Sequence, residues 1–149
     1  MSTAVIAIGG NAIVQSDQKG TVEEQQRNIR CCCEMVADLV EEGYDIVLTH
    51  GNGPQVGSIV MQNDMAKAVV PENPLDVCGA QSQGSLGYMI SQTLSNVLKE
   101  RNINKKIASV LTQVVVDEKD PAFENPTKFI DRSLHSRRQS SCNRKKDFA

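Results

Sequence analysis

Aromatic side chains are nearly absent from this 149-residue chain, which has no tryptophan, two tyrosines and three phenylalanines. Surfaces that stack single-stranded bases are built from such rings, so the composition argues against that kind of nucleic-acid platform. No C-x-x-C pair occurs either. The five cysteines, Cys31, Cys32, Cys33, Cys78 and Cys142, are odd in number, which argues against both a zinc site and a disulfide framework and fits a reducing compartment. No apolar run approaches the roughly 18 residues needed to span a bilayer. The apolar start, Val5 to Ile8, lacks a basic leader and ends in Gly9-Gly10, so it reads as a first strand rather than a signal peptide, and a cytoplasmic location with no membrane partner is expected. Neither G-x-G-x-x-G nor G-x-x-x-x-G-K-[ST] is present, so the two common nucleotide-loop signatures are missing.

What is present is an ordinary globular composition, 40% hydrophobic and 23% charged, in a length that fits one domain with a real core. The net charge of −2 hides a split. Residues 129–149 hold six Lys or Arg against two Asp, while residues 1–128 hold ten basic against sixteen acidic groups. The chain is therefore expected to consist of a folded unit over 1–128 and an aberrant basic tail over 129–149 that lacks apolar periodicity and is disordered. Such a tail is ordinarily just solvated, so no nucleic-acid partner is expected from Arg137-Arg138 or Arg144-Lys145-Lys146.

Two glycine-rich turns carry the functional signal. Ala4 to Ile8 runs into Gly9-Gly10-Asn11, and Asp45 to Thr49 runs into His50-Gly51-Asn52-Gly53-Pro54. Glycine permits φ > 0 and admits a ligand close to backbone N–H groups, which suits anionic oxygens. Between the turns, Thr21-Val22-Glu23-Glu24 has the pattern of a capping box. Ile29, Cys32, Cys33, Val36, Leu39 and Val40 then recur at helical spacing up to a C-terminal cap at Gly43. Pro54 suits the first position of a second helix, which Pro71 to Pro74 ends. Leu86, Met89, Ile90, Leu94, Val97 and Leu98 define a third helix, preceded by small residues from Gly79 to Gly87 that would let another backbone approach. Ile107 to Val116 is nearly continuously apolar and predicts a third strand covered on both faces. This order predicts a parallel-sheet α/β fold with both turns at the carboxyl ends of the strands, where ligands bind.

Several polar residues have both structural and chemical readings. Asn11 and Asn52 can donate to a phosphoryl or carbonyl oxygen, or simply tolerate turn conformations. His50 has no Ser or Cys partner that would make a nucleophilic triad. Lys128 is a candidate mobile ammonium for a transferring phosphoryl group, and Asp117 and Asp120 read as turn residues rather than metal ligands.

The assembled segments resemble the carbamate kinases, within the amino acid kinase family. The resemblance rests on V-I-A-I-G-G-N-A-I at Val5 to Ile13, Glu24-Gln25 and Asn28, and I-V-L-T-H-G-N-G-P-Q-V-G at Ile46 to Gly57. It extends to P-L-D-V-C-G-A-Q-S-Q-G-S-L-G-Y-M at Pro74 to Met89 and D-P-A-F-E-N-P-T-K at Asp120 to Lys128. It implies an α/β/α sandwich, a homodimer, and reversible phosphoryl transfer between ATP and carbamate to give ADP and carbamoyl phosphate, with Mg2+ on the nucleotide, within arginine metabolism. By that similarity Gly9, Gly10 and Asn11 hold the transferring phosphoryl, with Asn11 and Lys128 catalytic. Gly51, Asn52 and Gly53 hold carbamate or carbamoyl phosphate, and no residue is a metal ligand.

Beyond Lys128 the sequence departs from the family. A P-I-G stretch and a second, nucleotide-binding lobe would be expected there, whereas Phe129-Ile130-Asp131 and the basic tail follow. A reading shifted by one base over Arg132 to Arg144 can spell a family-like continuation, so the expectation is a frameshifted or truncated chain, correct in lineage and inactive alone. The other reading is a non-catalytic anion-binding or dimerising module derived from an amino acid kinase.

Overall fold

A computed structural model describes residues 2–125. Lys128, Cys142 and the expected disordered tail lie outside the described residues. Within them the order is β1 (Thr3–Ile8), α1 (Gly10–Ile13), α2 (Val22–Glu41), β2 (Asp45–His50), α3 (Gly53–Ala66), α4 (Leu75–Glu100) and a 3-10 turn (Pro121–Phe123).

The local signals explain the helix boundaries. At the start of α2 the Thr21 N–H donates to Glu24 Oε2 at 2.9 Å and the Glu24 N–H donates to Thr21 Oγ1 at 3.3 Å, so the capping box closes. Its end is a Schellman turn: Gly43 takes φ 93°, with Gly43 N–H on the Val40 carbonyl and Tyr44 N–H on that of Leu39. The same device ends α4, where Asn102 adopts φ 60° and Ile103 N–H returns to the Leu98 carbonyl at 2.8 Å. Asn tolerates the left-handed region better than other side chains, and so takes the place of glycine there.

β1 and β2 pair in parallel with register Thr3↔Asp45 through Ile8↔His50. Burial alternates along both strands. Ile6, Ile8, Ile46 and Leu48 face the core formed where α2 crosses α4, with Ile29, Cys33, Val36 and Ala37 against Leu86, Ile90, Leu94 and Val97. Full burial of each large aliphatic contributes about 1.5–3 kcal/mol, so this helix pair with its sheet face is the main source of cohesion. Cys31, Cys32 and Cys33 are exposed, half-buried and buried in turn, as a 100° step per residue requires. Arg101 adds a polar tie at the helix ends, holding Glu34 at 2.6 Å and also Asp38.

The third strand does not form. Residues 104–116 carry no regular structure, and Val110, Leu111, Val114, Val115 and Val116 are exposed. The physical reason is pairing: a strand exists through backbone hydrogen bonds to a neighbouring strand, and among the described residues this segment pairs with none. It faces β2 across an apolar groove of about 680 Å³ lined by Ile46, Leu48, Ile107 and Leu111. It is instead tied to α4, where Ser109 Oγ lies 2.6 Å from Ser91 Oγ and Thr112 N–H donates to Gln83 Oε1 at 2.9 Å. Of the small residues on α4, Gly87 makes the close approach: a Cβ there would lie 3.1 Å from Ser109 Oγ. Both strands keep their second face outward, with Val5 71% and Val47 48% exposed. Among the described residues, helices therefore cover one side of the sheet.

Candidate functional site

Parallel pairing makes β1 and β2 end together at Ile8↔His50, so the two glycine turns leave the same edge of the sheet side by side. The Gly51 N–H donates to the Ile8 carbonyl at 3.3 Å, tying the second turn to the end of the first strand. A Cβ built on Gly10 would lie 3.8 Å from Pro54 Cδ, so the start of α1 also adjoins the first turn of α3. The two turns therefore adjoin, as their places after two parallel strands imply.

Of the two expected reasons for glycine at these turns, positive φ does not apply. Among the described glycines only Gly20 and Gly43 take positive φ. Gly9 is extended, at φ −72° and ψ 160°. A Cβ at Gly9, Gly51 or Gly53 would meet no atom of the chain within 4 Å. Neither a positive φ at Gly9 nor internal packing at these three positions calls for glycine, and what their missing Cβ atoms leave is open space.

Asn52 is the residue before α3, but its side chain does not cap that helix. Its Nδ2 donates instead to Ser82 Oγ at 2.6 Å, and Ser82, fully buried on α4, donates its own O–H to the Gly79 carbonyl at 2.6 Å. The first-turn N–H groups of α3 thus have no side-chain cap, and with the helix dipole they present positive potential at the turn. Asn11 is exposed at the first turn. His50 Nδ1 lies 3.1 Å from the Gly51 carbonyl, and its ring is engaged locally at the strand end.

Asp117 and Asp120 occupy turns, accepting from Lys119 N–H at 2.9 Å and Ala122 N–H at 2.8 Å. Among the described residues no three His, Cys, Asp or Glu side chains converge as the ligands of a protein-only metal site would. Sequence reasoning missed Ser82 and Gln55 as supports of the turns. Ser82 was one of several small residues on α4, and Gln55 follows Pro54 with no local signal for its partner.

Comparison with known proteins gives the following. The amino acid kinase family model matches residues 2–139. A carbamate kinase of Pyrococcus horikoshii is 50% identical over 126 residues, which cover 83% of this chain and 40% of that protein. One of Halobacterium salinarum is 45% identical over 130 residues, covering 87% and 40% respectively. The solved structure of carbamate kinase from Giardia lamblia bound to AMP-PNP superposes with a TM-score of 0.83 at 47% identity, covering 87% of this chain and 45% of that one. The chain spans about 40% of the length of the curated relatives it matches.

Proposed function

The chain belongs to the amino acid kinase family, its fold corresponds to the N-terminal portion of that α/β fold, and from this premise we propose that it carries the carbamate and carbamoyl-phosphate side of a carbamate kinase. In the reaction a carbamate oxygen attacks the γ-phosphorus of ATP. A new P–O bond forms as the bond to the β-phosphate oxygen breaks, releasing ADP and carbamoyl phosphate. Such transfer is catalysed by positioning and charge stabilisation rather than by a covalent intermediate.

Gly9, Gly10 and Asn11 take the transferring phosphoryl, Gly51 to Gly53 take the carbamoyl group, and Lys128 supplies a cation to the transferring phosphoryl. The observation that carries this reading is the adjacency of two turns whose missing Cβ atoms leave open space. Asn52 contributes chiefly backbone, because its amide N–H2 group is directed to Ser82. ATP or ADP is the cosubstrate, with Mg2+ on the nucleotide. A homodimer working in the cytoplasm, in arginine metabolism, completes the proposal. In support of a non-membrane setting, among the described residues no helix is long and apolar enough to cross a bilayer.

The groups needed to hold adenine and to offset charge on the nucleotide are not among those assigned here, so the 149-residue chain is expected to bind carbamoyl phosphate without turning it over. Isothermal calorimetry with carbamoyl phosphate, paired with an assay of ATP formation from ADP, tests this. Absence of binding refutes the anion site, and turnover comparable to that of a full-length relative refutes the claim that this chain is inactive alone.

A further inference from the structure

The segment Glu24-Gln25 with Asn28 stands apart from both glycine turns in sequence, and its glutamate is accounted for by the capping box. Gln25 and Asn28 sit three residues apart on one face of α2. Asn28 Nδ2 donates to the Ile13 carbonyl, at the end of α1, at 2.9 Å and to Gln18 Oε1 at 2.6 Å. Gln25 Nε2 donates to the Gly20 carbonyl at 2.8 Å. The loop that leaves the first glycine turn is therefore held to α2 at both of its ends.

Gln25 also reaches the other turn. Gln55, in the first turn of α3 and two residues beyond Gly53, donates from Nε2 to Gln25 Oε1 at 2.9 Å. Both ends of the Gln25 amide are thus in use, one toward each turn. The order of donors and acceptors is fixed: Gln55 to Gln25 to Gly20. Gln55 Oε1 is buried with no partner among the described residues, so the Gln55 amide gains no second bond that would hold it without Gln25.

We propose that Gln25 is a positioning residue that fixes the first turn of α3 against the loop leaving α1, and so sets the separation of the two glycine turns. Its consequence for ligands rests on the functional reading above. There the phosphoryl group lies at one turn and the carbamoyl group at the other, and in-line transfer tolerates little error in their spacing. A ligand that spans both turns depends on the link, and one that occupies a single turn does not.

The test uses Gln25→Met and Gln55→Met, which keep side-chain length and remove the amides, in the 149-residue chain at dilute concentration. Carbamoyl phosphate and inorganic phosphate serve as probes. Loss of one hydrogen bond's worth of alignment is expected to weaken carbamoyl phosphate by about tenfold in either variant. Inorganic phosphate affinity should be unchanged, and the double variant should be no worse than either single one. Equal weakening of both probes, or additive losses, overturns the proposal in favour of general destabilisation.

Amide hydrogen exchange separates this from failure of the functional reading. Val14 N–H donates to the Gly10 carbonyl in the first turn region, far in sequence from residue 55. Gln55→Met is expected to speed exchange at Val14 whether or not a ligand binds. If wild type binds neither probe but Val14 responds, the functional reading fails and the coupling stands. An unchanged Val14 overturns the coupling.

Discussion

Asn52 Nδ2 and Ser82 Oγ lie 2.6 Å apart, joining the second glycine turn to the buried face of α4 across 30 residues of chain. The bond turns a side chain that looked available to a ligand into a support for the backbone that remains available. It also gives a polar residue in the core a reason to be there, since Ser82 is fully buried and both accepts from Asn52 and donates to Gly79.

Ser82→Ala leaves the Asn52 amide without its acceptor. Removing one partner of this partly buried pair is expected to cost on the order of 1 kcal/mol by urea denaturation, with weaker carbamoyl phosphate binding. Wild-type stability and affinity in the variant would show that the bond does not support the turn.

Cys33 is expected to behave as an inert thiol beside a reactive one. Burial first, then the neighbouring Cys32 and Glu34, pushes its pKa up to about 12 from an ordinary 9.0. The folded state thus keeps a proton that the unfolded state releases. Its contribution is complete below pH 9.0 and is lost as pH rises toward about 12. In peptide mass spectrometry, iodoacetamide should label exposed Cys31 in the native protein and Cys33 only on unfolding. Cys33→Ala should flatten the alkaline loss of stability; an unchanged slope would assign that loss to other groups.

The outer edge of the sheet should drive self-association of the 149-residue chain. Among the described residues β1 and β2 pair only with each other, and Val5 and Val47 lie exposed on the outward face. Open, apolar strand edges invite pairing between chains, and a lysine there opposes it. Light scattering should rise with concentration in wild type and far less in Val47→Lys. A wild type that stays monomeric and unfolds in one cooperative thermal transition contradicts this.

Much of the architecture was legible locally. Thr21 to Glu24 announced the start of α2, Gly43 its end, and the spacing of Leu86, Ile90 and Leu94 the buried stripe of α4. The glycine turns were legible as a pair because each follows a strand. Ile107 to Val116 misled because apolar continuity measures only the capacity to be buried between layers, and that segment meets no strand to pair with. Gln25 and Gln55 were legible as letters of a motif but not as partners, since nothing within 30 residues of chain tells two amides that they will meet.

The sequence by itself determined where the chain turns, which helix faces are apolar, and which family it belongs to, because capping, periodicity and motif spacing act over a few residues. The tertiary structure alone decided that Asn52 bonds to Ser82, that Gln55 bonds to Gln25, and that residues 104–116 pair with no strand. Those outcomes depend on which donor, acceptor or strand edge is nearest once α2 and α4 have packed, and proximity in space is not written at any single position.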